Sequence, residues 1–489
     1  MDKPLYLAID QGGHSSRALV FDSEGQVVAQ AKYNVKVSTP QPDWAEQNAE
    51  ELVWSIQSVL QEIFRQLGTD VRLIVAAGLA TQRSNVVCWD RHSGVALSSA
   101  ISWQDRRAHA WLSGFADKAH EIHARTGLLL TAHYGASKLR WCEDHIPAVT
   151  QALTEGRLAW GPMAAYLVYQ ITLEQRHLVD PANASRTLLW NLQQQDWDPY
   201  LLELFGVTRE PLPSCVATCF QYGTIPLGEH RVPLVLVTGD QSAALYAYGK
   251  ASPDTAYINM GTGAFLQIPT GDQVVSVPRL LSSIVIHDGV QAGYVLECTV
   301  NGAGSALTLV EDELGMSYEL AESQFATWLD QANHPPVFLN GVSGLGAPFW
   351  IPDFKSRFAA VGDKENKWED WEKIVAVAES IIFLLKVNLD TIATAIETPL
   401  QKILLTGGLA LSDGLCQRLA DLSRLPVERP EECEATARGT AFLVAGAPAH
   451  WSGHHSHWFY PCDNPSLQNR FQHWLILMEE ELKAYQSVL

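Results

Sequence analysis

Charge is scarce in this 489-residue chain. Asp, Glu, Lys and Arg together make up 18% of it, against 47% apolar residues. That balance excludes a disordered chain and a long coiled coil, both of which carry more charge. Basic residues are scarcer still, 34 against 54 acidic, for a formal charge of −20. A field of that sign repels a polyphosphate backbone, so no nucleic-acid partner is expected. A small anion can still be held locally by glycine loops, helix ends and a divalent metal. The 8 cysteines include no C-x-x-C pair, and scattered thiols in so long a chain read as reduced side chains of a cytoplasmic protein. Cys215 and Cys219 lack a matching second pair, which leaves a tetrahedral metal site half built. No uncharged apolar run approaches about 18 residues. The longest candidate, IVAVAESIIFLLKV, contains Glu379 and Lys386, and no membrane span is expected. The opening MDKPLYLAIDQGG lacks the long apolar region of a signal peptide.

What is present is glycine-punctuated α/β patterning. The chain exceeds the roughly 300 residues at which single cores stop growing, so at least two domains are expected. Leu5–Ile9 suits a buried strand, DQGG a glycine turn and Arg17–Phe21 a second strand, with Gln26–Val37 extended after the next turn. Apolar residues at 52, 56, 59, 60 and 63 predict a helix over Glu46–Leu67, and Leu73–Leu79 reads as a buried strand. Further helices are expected over Arg107–Arg125 and Ser137–His145. The opening pattern returns about 250 residues later: strand Thr255–Asn259, turn MGTG, strand Ala264–Ile268. Two structurally similar halves follow from this. The break between them is placed near Gly249–Pro253, after the strand, turn and helix of VPLVLVTGDQSAALYAYG. KILLTGGLALSDGLCQRLAD repeats strand, turn and helix, and WEDWEKIVAVAESIIFLLKVNLDTI reads as a long buried helix. From Pro448 a tail rich in His and Trp leads to a helical run at Gln472–Tyr485. Its His450, His454, His455 and His457, near Trp451 and Trp458, lack a companion acid or cysteine and read as surface residues of a tail lying beyond the last core element.

Glycine turns lacking Cβ atoms let backbone N–H groups approach phosphate oxygens. Each one alone is usually only a turn; two of them in matching halves suggest a nucleoside triphosphate clasped between domains. Asp10 can position Mg²⁺ through water, or serve only as an Asx-turn residue. Asp240 sits where a buried strand meets a helix, the place where open α/β sheets present reactive groups. A carboxylate there can take a proton from a hydroxyl attacking phosphorus. It can also simply cap the helix beginning at Gln241.

The blocks DQGGHSSRALVFD, TQRSNVVCWDRHSG, AISWQDRR, NASRTLLWN, GDQSAAL, GTGAFL, SGLGAPFW and TGGLALSDGLCQRLAD, in this order along nearly the whole chain, resemble the FGGY carbohydrate kinases, with motifs closest to the glycerol kinases. The resemblance implies a two-domain α/β fold of the actin and hexokinase (ribonuclease H-like) type, with ATP and sugar meeting in the cleft. It implies an amino-terminal domain over 1–249 with the sugar site, a nucleotide domain over 250–446, and a tail over 447–489 packing on the core. It further implies phosphoryl transfer from Mg·ATP to a hydroxyl, with Asp240 as base. The acceptor pocket resembles the family's at Arg83, Trp103, Asp240, Gln241 and Phe265. The nucleotide side matches at Asp10, Gly12, Gly261, Thr262, Gly263, Gly304, Gly407 and Gly408, with Asp413 where the family usually has an amide contacting adenine. Asp10 and Asp240 are the candidate metal contacts, through water.

The departures bear on the acceptor. Ser84 stands where glycerol kinases have glutamate, and His133, with Tyr134 beside it, where they have tyrosine. Gly13 and His14 replace the threonines of the first phosphate turn, and GPMAAYL, with Ala164 and Ala165, lacks an acid. Because unpaired buried polar groups discriminate strongly between substrates, a ketose or a polyol longer than glycerol is expected. Glycerol itself is the alternative. A non-catalytic ATP- or sugar-binding regulator is a second alternative, suggested by the missing threonines. The partner is a small molecule, neither nucleic acid nor membrane, and a homodimer is left open.

Overall fold

The computed structural model describes residues 3–332, 334–360, 368–431, 434–452 and 455–486. Its first sheet begins with the antiparallel meander β1 (Leu5–Gln11), β2 (Ser15–Phe21) and β3 (Val27–Asn34). β4 (Ile74–Thr81) lies parallel beside β1. β5 (Cys219–Leu227) and β6 (His230–Gly239) form a hairpin whose second strand runs parallel to β4, giving the order β5-β6-β4-β1-β2-β3. The second sheet repeats this scheme with β7 (Thr255–Met260), β8 (Ala264–Gly271), β9 (Leu281–His287), β10 (Ala292–Val300), β11 (Lys402–Thr406), β12 (Val427–Pro430) and β13 (Ser456–Phe459). Its order is β9-β10-β8-β7-β11-β12-β13, and β9 alone lacks a counterpart. β7, β8 and β10 form the antiparallel meander, β11 and β12 are the parallel additions, and β13 closes antiparallel. The repeated strand–glycine turn–strand pattern thus marks the same hairpin of two equivalent sheets.

Period-two burial explains how the first sheet is covered on both faces. Leu7, Ile9, Ala18 and Val20 belong to the core shared with Ile56 and Val59 of α1 (Ala49–Leu67). Their neighbours Ala8, Leu19 and Phe21 turn the other way, onto Ala437, Ala441 and Phe442 of a helix far along the chain, Ala435–Val444. The chain therefore returns from the second half to the first before its end. α1 starts where Asn48 accepts the Glu51 N–H, three residues inside the expected Glu46; Glu46 and Gln47 instead form a short strand. α2 (Gly135–His145) matches the expected Ser137–His145 to within one turn. The expected helix over Arg107–Arg125 is not continuous: His109–Leu112 and Ala119–Thr126 are separated by a 3₁₀ stretch, Ser113–Lys118. Gly114 and poor capping at both junctions account for the break.

α3 (Asp240–Ala244) follows β6 directly, and its N-cap is Gly239. Asp240 is its first residue, not the cap expected for a helix starting at Gln241. In the second half α4 (Gly304–Glu313) follows β10, and the long α5 (Asp370–Ala393) is buried along most of its length, as its apolar sequence requires. α6 (Asp413–Ser423) follows β11, α7 is the returning helix Ala435–Val444, and α8 is Pro465–Gln486. The tail does not lie outside the core. Trp451 is fully buried against Phe21 and Phe442, β13 extends the second sheet through His457 and Trp458, and Phe471 and Trp474 of α8 pack on Phe383. His450 meets the Ser23 carbonyl, and His454 lies outside the described residues. Among the described residues no helix is long and apolar enough to cross a membrane.

Candidate active site

The parallel register of the first sheet brings three strand ends side by side: Gln11 pairs with Thr81, and Thr81 with Gly239. Asp10, Arg83 and Asp240, widely separated in sequence, therefore gather at one edge. Asp10 is 9% exposed. Burial, and after it the charge of Asp240, push its carboxyl up to about 7, with Arg17 pulling the other way. Asp240 is half-buried, accepts the Gln241 N–H at 2.7 Å, and is itself raised by burial, an effect that the Arg83 charge opposes. Arg17 is shared with Glu434, across the two halves. Two carboxylates at one sheet edge, each raised by burial against the pull of neighbouring arginines, are oxygen donors of the kind that suit a divalent cation such as Mg²⁺.

Glutamines shape the glycine turn that follows β1. The Gln11 side chain donates to the Gly12 carbonyl at 2.8 Å, that of Gln47 donates to the Gly13 carbonyl at 2.9 Å, and Gln82 donates to Gln47 at 2.8 Å. Within a trans peptide N–H and C=O point opposite ways, so tying these carbonyls back turns the Gly13 and His14 N–H groups in the other direction. His14 itself is exposed. In the second half the turn Gly261–Gly263 docks on the start of α4. The Gly304 N–H donates to the Gly261 carbonyl at 2.9 Å, and a Cβ on Gly304 would stand 2.8 Å from that oxygen. Gly407, at φ +95°, lies against the Met260 carbonyl, where no side chain fits, with Gly408 starting the next turn. Gly261, Thr262, Gly263, Gly304 and Gly407 are thus brought together. Asp413 is held by Arg429 at 2.7 Å, so its carboxylate already has a partner.

The residues expected on the acceptor side gather around Arg83. Its guanidinium donates to the side-chain carbonyl of Gln241, which leaves the Gln241 amide N–H groups for a ligand, and to Glu297 of β10 at 2.9 Å. Glu297 also accepts from Arg186 and, at 2.8 Å, from Gln267. Burial alone would raise this carboxyl, but the charges of Arg186 and Arg83 hold it far below the usual carboxylate range. Phe265 lies two residues before Gln267 on β8, and strand alternation puts both on the face that meets Glu297. The Trp103 ring lies 5.4 Å from that of His133, and His133 lies 4.9 Å from Tyr134. Burial first, and then the nearby charges of Lys138, Arg186 and Arg83, lower the His133 imidazole well below its usual range. Ser84 is 3% exposed, has φ +67°, and its carbonyl accepts from Lys138 at 3.0 Å. Arg186, Glu297, Arg17 and Glu434 escaped the sequence reading. The signal for Glu297 was a lone charge inside the apolar strand AGYVLECTV.

Family models match both halves: the FGGY carbohydrate kinase N-terminal domain over residues 5–247 and the C-terminal domain over 256–447. The glycerol kinase of Shewanella frigidimarina is 34% identical over 457 residues, covering 92% of this chain and 90% of that protein. That of Trichlorobacter lovleyi is 35% identical over 452 residues, covering 91% and 90%. Among solved structures, Plasmodium falciparum glycerol kinase with ADP superposes with a TM-score of 0.88 at 24% identity, covering 98% of each chain. A xylulose kinase from Rhodospirillum rubrum gives 0.87 at 19% identity, covering 99% of this chain and all of that one. At these identities the structural likenesses speak for the two-domain actin and hexokinase-like fold.

Proposed function

We propose that this chain, which belongs to the FGGY family of carbohydrate kinases and is a phosphotransferase with an alcohol group as acceptor, phosphorylates a small ketose or a polyol longer than glycerol, with Asp240 as general base. The observation that carries this reading is the convergence of Asp10 and Asp240 at neighbouring strand ends, one carboxylate suited to a Mg·ATP complex and the other to a hydroxyl. Asp240 takes the proton of the attacking hydroxyl. Its elevated affinity for protons, caused by burial, suits a base that must hold one during transfer. Arg83 and the Gln241 amide donate to acceptor oxygens, while Trp103 and Phe265 offer flat walls to C–H faces. Gly12, Gly13, His14 and the Gly261–Gly263 turn serve the phosphates, and Gly407 and Gly408 the adenosine. Asp10, with Asp240 near it, would hold Mg²⁺ through water; when bound, the ion neutralises charge on the phosphate oxygens.

Ser84 and His133 favour the longer acceptor over glycerol: a short hydroxyl and a neutral ring leave space where a carboxylate and a phenol would stand. Glycerol is the second reading, favoured by relatives of that name at 34% and 35% identity. A coupled ADP-release assay over glycerol, erythritol, xylitol, ribulose and xylulose separates the two. Asp240→Asn should lower turnover about 10²- to 10⁴-fold while ATP affinity, measured by titration, barely moves. Wild-type turnover in that variant would remove Asp240 from the mechanism, and ATP binding without acceptor-dependent ADP release would overturn the kinase reading.

A further inference from the structure

Arg83 reaches the Asp240 end of β6 directly. A Cβ on Gly239, the residue before Asp240, would stand 2.6 Å from Arg83 Cδ, and the guanidinium goes on to donate to Gln241. The turn that carries Arg83 is tied on both sides. Gln82 donates to Gln47 at 2.8 Å, and the Asn85 side chain accepts the Trp103 N–H at 2.8 Å while its carbonyl accepts the Met163 N–H at 2.8 Å. Ser84 differs from these neighbours. Its φ of +67° lies in the left-handed region that side chains disfavour, and its buried Oγ has no partner to hold it there. What grips Ser84 is its carbonyl, which accepts from Lys138 at 3.0 Å.

Lys138 is 1% exposed, and a buried ammonium is costly unless it is hydrogen-bonded. This one gives two of its three donors to main-chain carbonyls, those of Ser84 and His133. It stands on α2, a rigid support: Leu139 and Cys142 of that helix are fully buried in the core of the first half. Gly135, at the helix start, is pressed against the strand that follows Ser84, since a Cβ there would stand 3.2 Å from Val86 Cγ1. The His133 ring in turn faces that of Trp103 at 5.4 Å. One buried side chain thus clamps together the two segments that carry Arg83, Ser84 and His133.

We infer that Lys138 is a positioning residue of the acceptor site. By holding the Ser84 carbonyl it keeps the turn in its left-handed bend, and so aims Arg83 at Gln241 and Asp240. By holding the His133 carbonyl it sets the place of that ring beside Trp103. Lys138 acts through these residues and touches no acceptor itself. This inference rests on the kinase reading above. Among the described residues Lys138 makes no bond to either glycine turn, so its removal is expected to act on the acceptor and to spare ATP.

The test compares the wild type with Lys138→Met, which keeps the buried stem and removes the donors, with Ser84→Gly, and with the double variant. In Lys138→Met the KM for xylulose and glycerol should rise about 10- to 100-fold, the loss expected for hydrogen bonds from a charged group. The KM for ATP should change by less than about threefold. A parallel loss for ATP and acceptor, as general damage to the fold would give, overturns the inference. Glycine takes a left-handed φ without strain, so in the Ser84→Gly background Lys138→Met should raise acceptor KM at least about threefold less than in the wild type. An undiminished effect there means that Lys138 does not act through the bend, and overturns it too. If Lys138→Met does not fold, Lys138→Gln, too short to reach both carbonyls, carries the same comparisons. A crystal structure of the variant needs no turnover and so separates this inference from the kinase reading. Ser84 leaving the left-handed region, with Arg83 off Gln241, supports the positioning role even if no acceptor releases ADP; an unchanged turn overturns it.

Discussion

Asp10 links protonation and stability at a single side chain, and in the proposed function it would also hold the metal. Burial first, and Asp240 second, raise its carboxyl from 3.8 to about 7. Between those values the folded chain keeps a proton that the unfolded chain has lost, so stability falls as pH rises through this window. Above it, the linkage costs up to about 4 kcal/mol. Asp10→Asn is therefore expected to raise the unfolding midpoint of ligand-free protein at about pH 8, with the gain shrinking as pH falls toward 4. Added Mg²⁺ should narrow the gap by stabilising the wild type alone. A pH-independent gain, read by thermal unfolding in buffers spanning the window, would separate Asp10 from this titration. Asp10 and Asp240 were legible in sequence as candidates because each sits at a strand end beside a turn, whereas Arg83 came only through the resemblance of its block to the family. Arg186 was not legible, although it lies within the block NASRTLLWN, since nothing local says that its guanidinium meets Glu297 of the second half.

At the scale of elements, α3 owes its position to α7. A Cβ on Gly439 would collide with the Ala243 carbonyl oxygen, so the two helices meet backbone to backbone. The Thr436 hydroxyl donates to the Asp240 carbonyl at 3.4 Å, and Arg438 donates to that of Ala247 at 2.9 Å. Gly439→Ala should push α7 off α3, costing about 1–3 kcal/mol of stability, near the upper end because backbone and not a side chain is struck. Turnover should fall more than ATP affinity. A variant whose turnover and ATP affinity decline in parallel would show that α7 does not set the Asp240 geometry. The sequence read α1 well, since its apolar stripe and Asn48 cap are local features. It misread Arg107–Arg125 as one helix because the interruption at 113–118 depends on capping and packing more than on periodicity.

The whole molecule is joined by charges that cross between its halves. Glu297 of the second sheet holds Arg83 and Arg186 of the first half, and Arg17 meets Glu434 across the same junction. Glu297→Gln would leave two guanidiniums facing a neutral amide in a dry setting. The expected cost is about 3–5 kcal/mol, measurable by denaturant unfolding. Acceptor KM should rise as well, because Arg83 loses its anchor. A loss below about 1 kcal/mol would mean that solvent, and not Glu297, balances these charges.

The sequence by itself determined the alternation of strands and turns, the repetition that makes two similar sheets, and the motif blocks that carry family membership. All of these are written in short windows of periodicity and glycine placement. Only the tertiary structure decided which distant groups share one site. Glu297 had to find a cation, since a buried carboxylate cannot stand alone, but its own strand does not say which. Arg83, 214 residues away, is reached only because the parallel register of one sheet and the face alternation of the other bring both to the same edge.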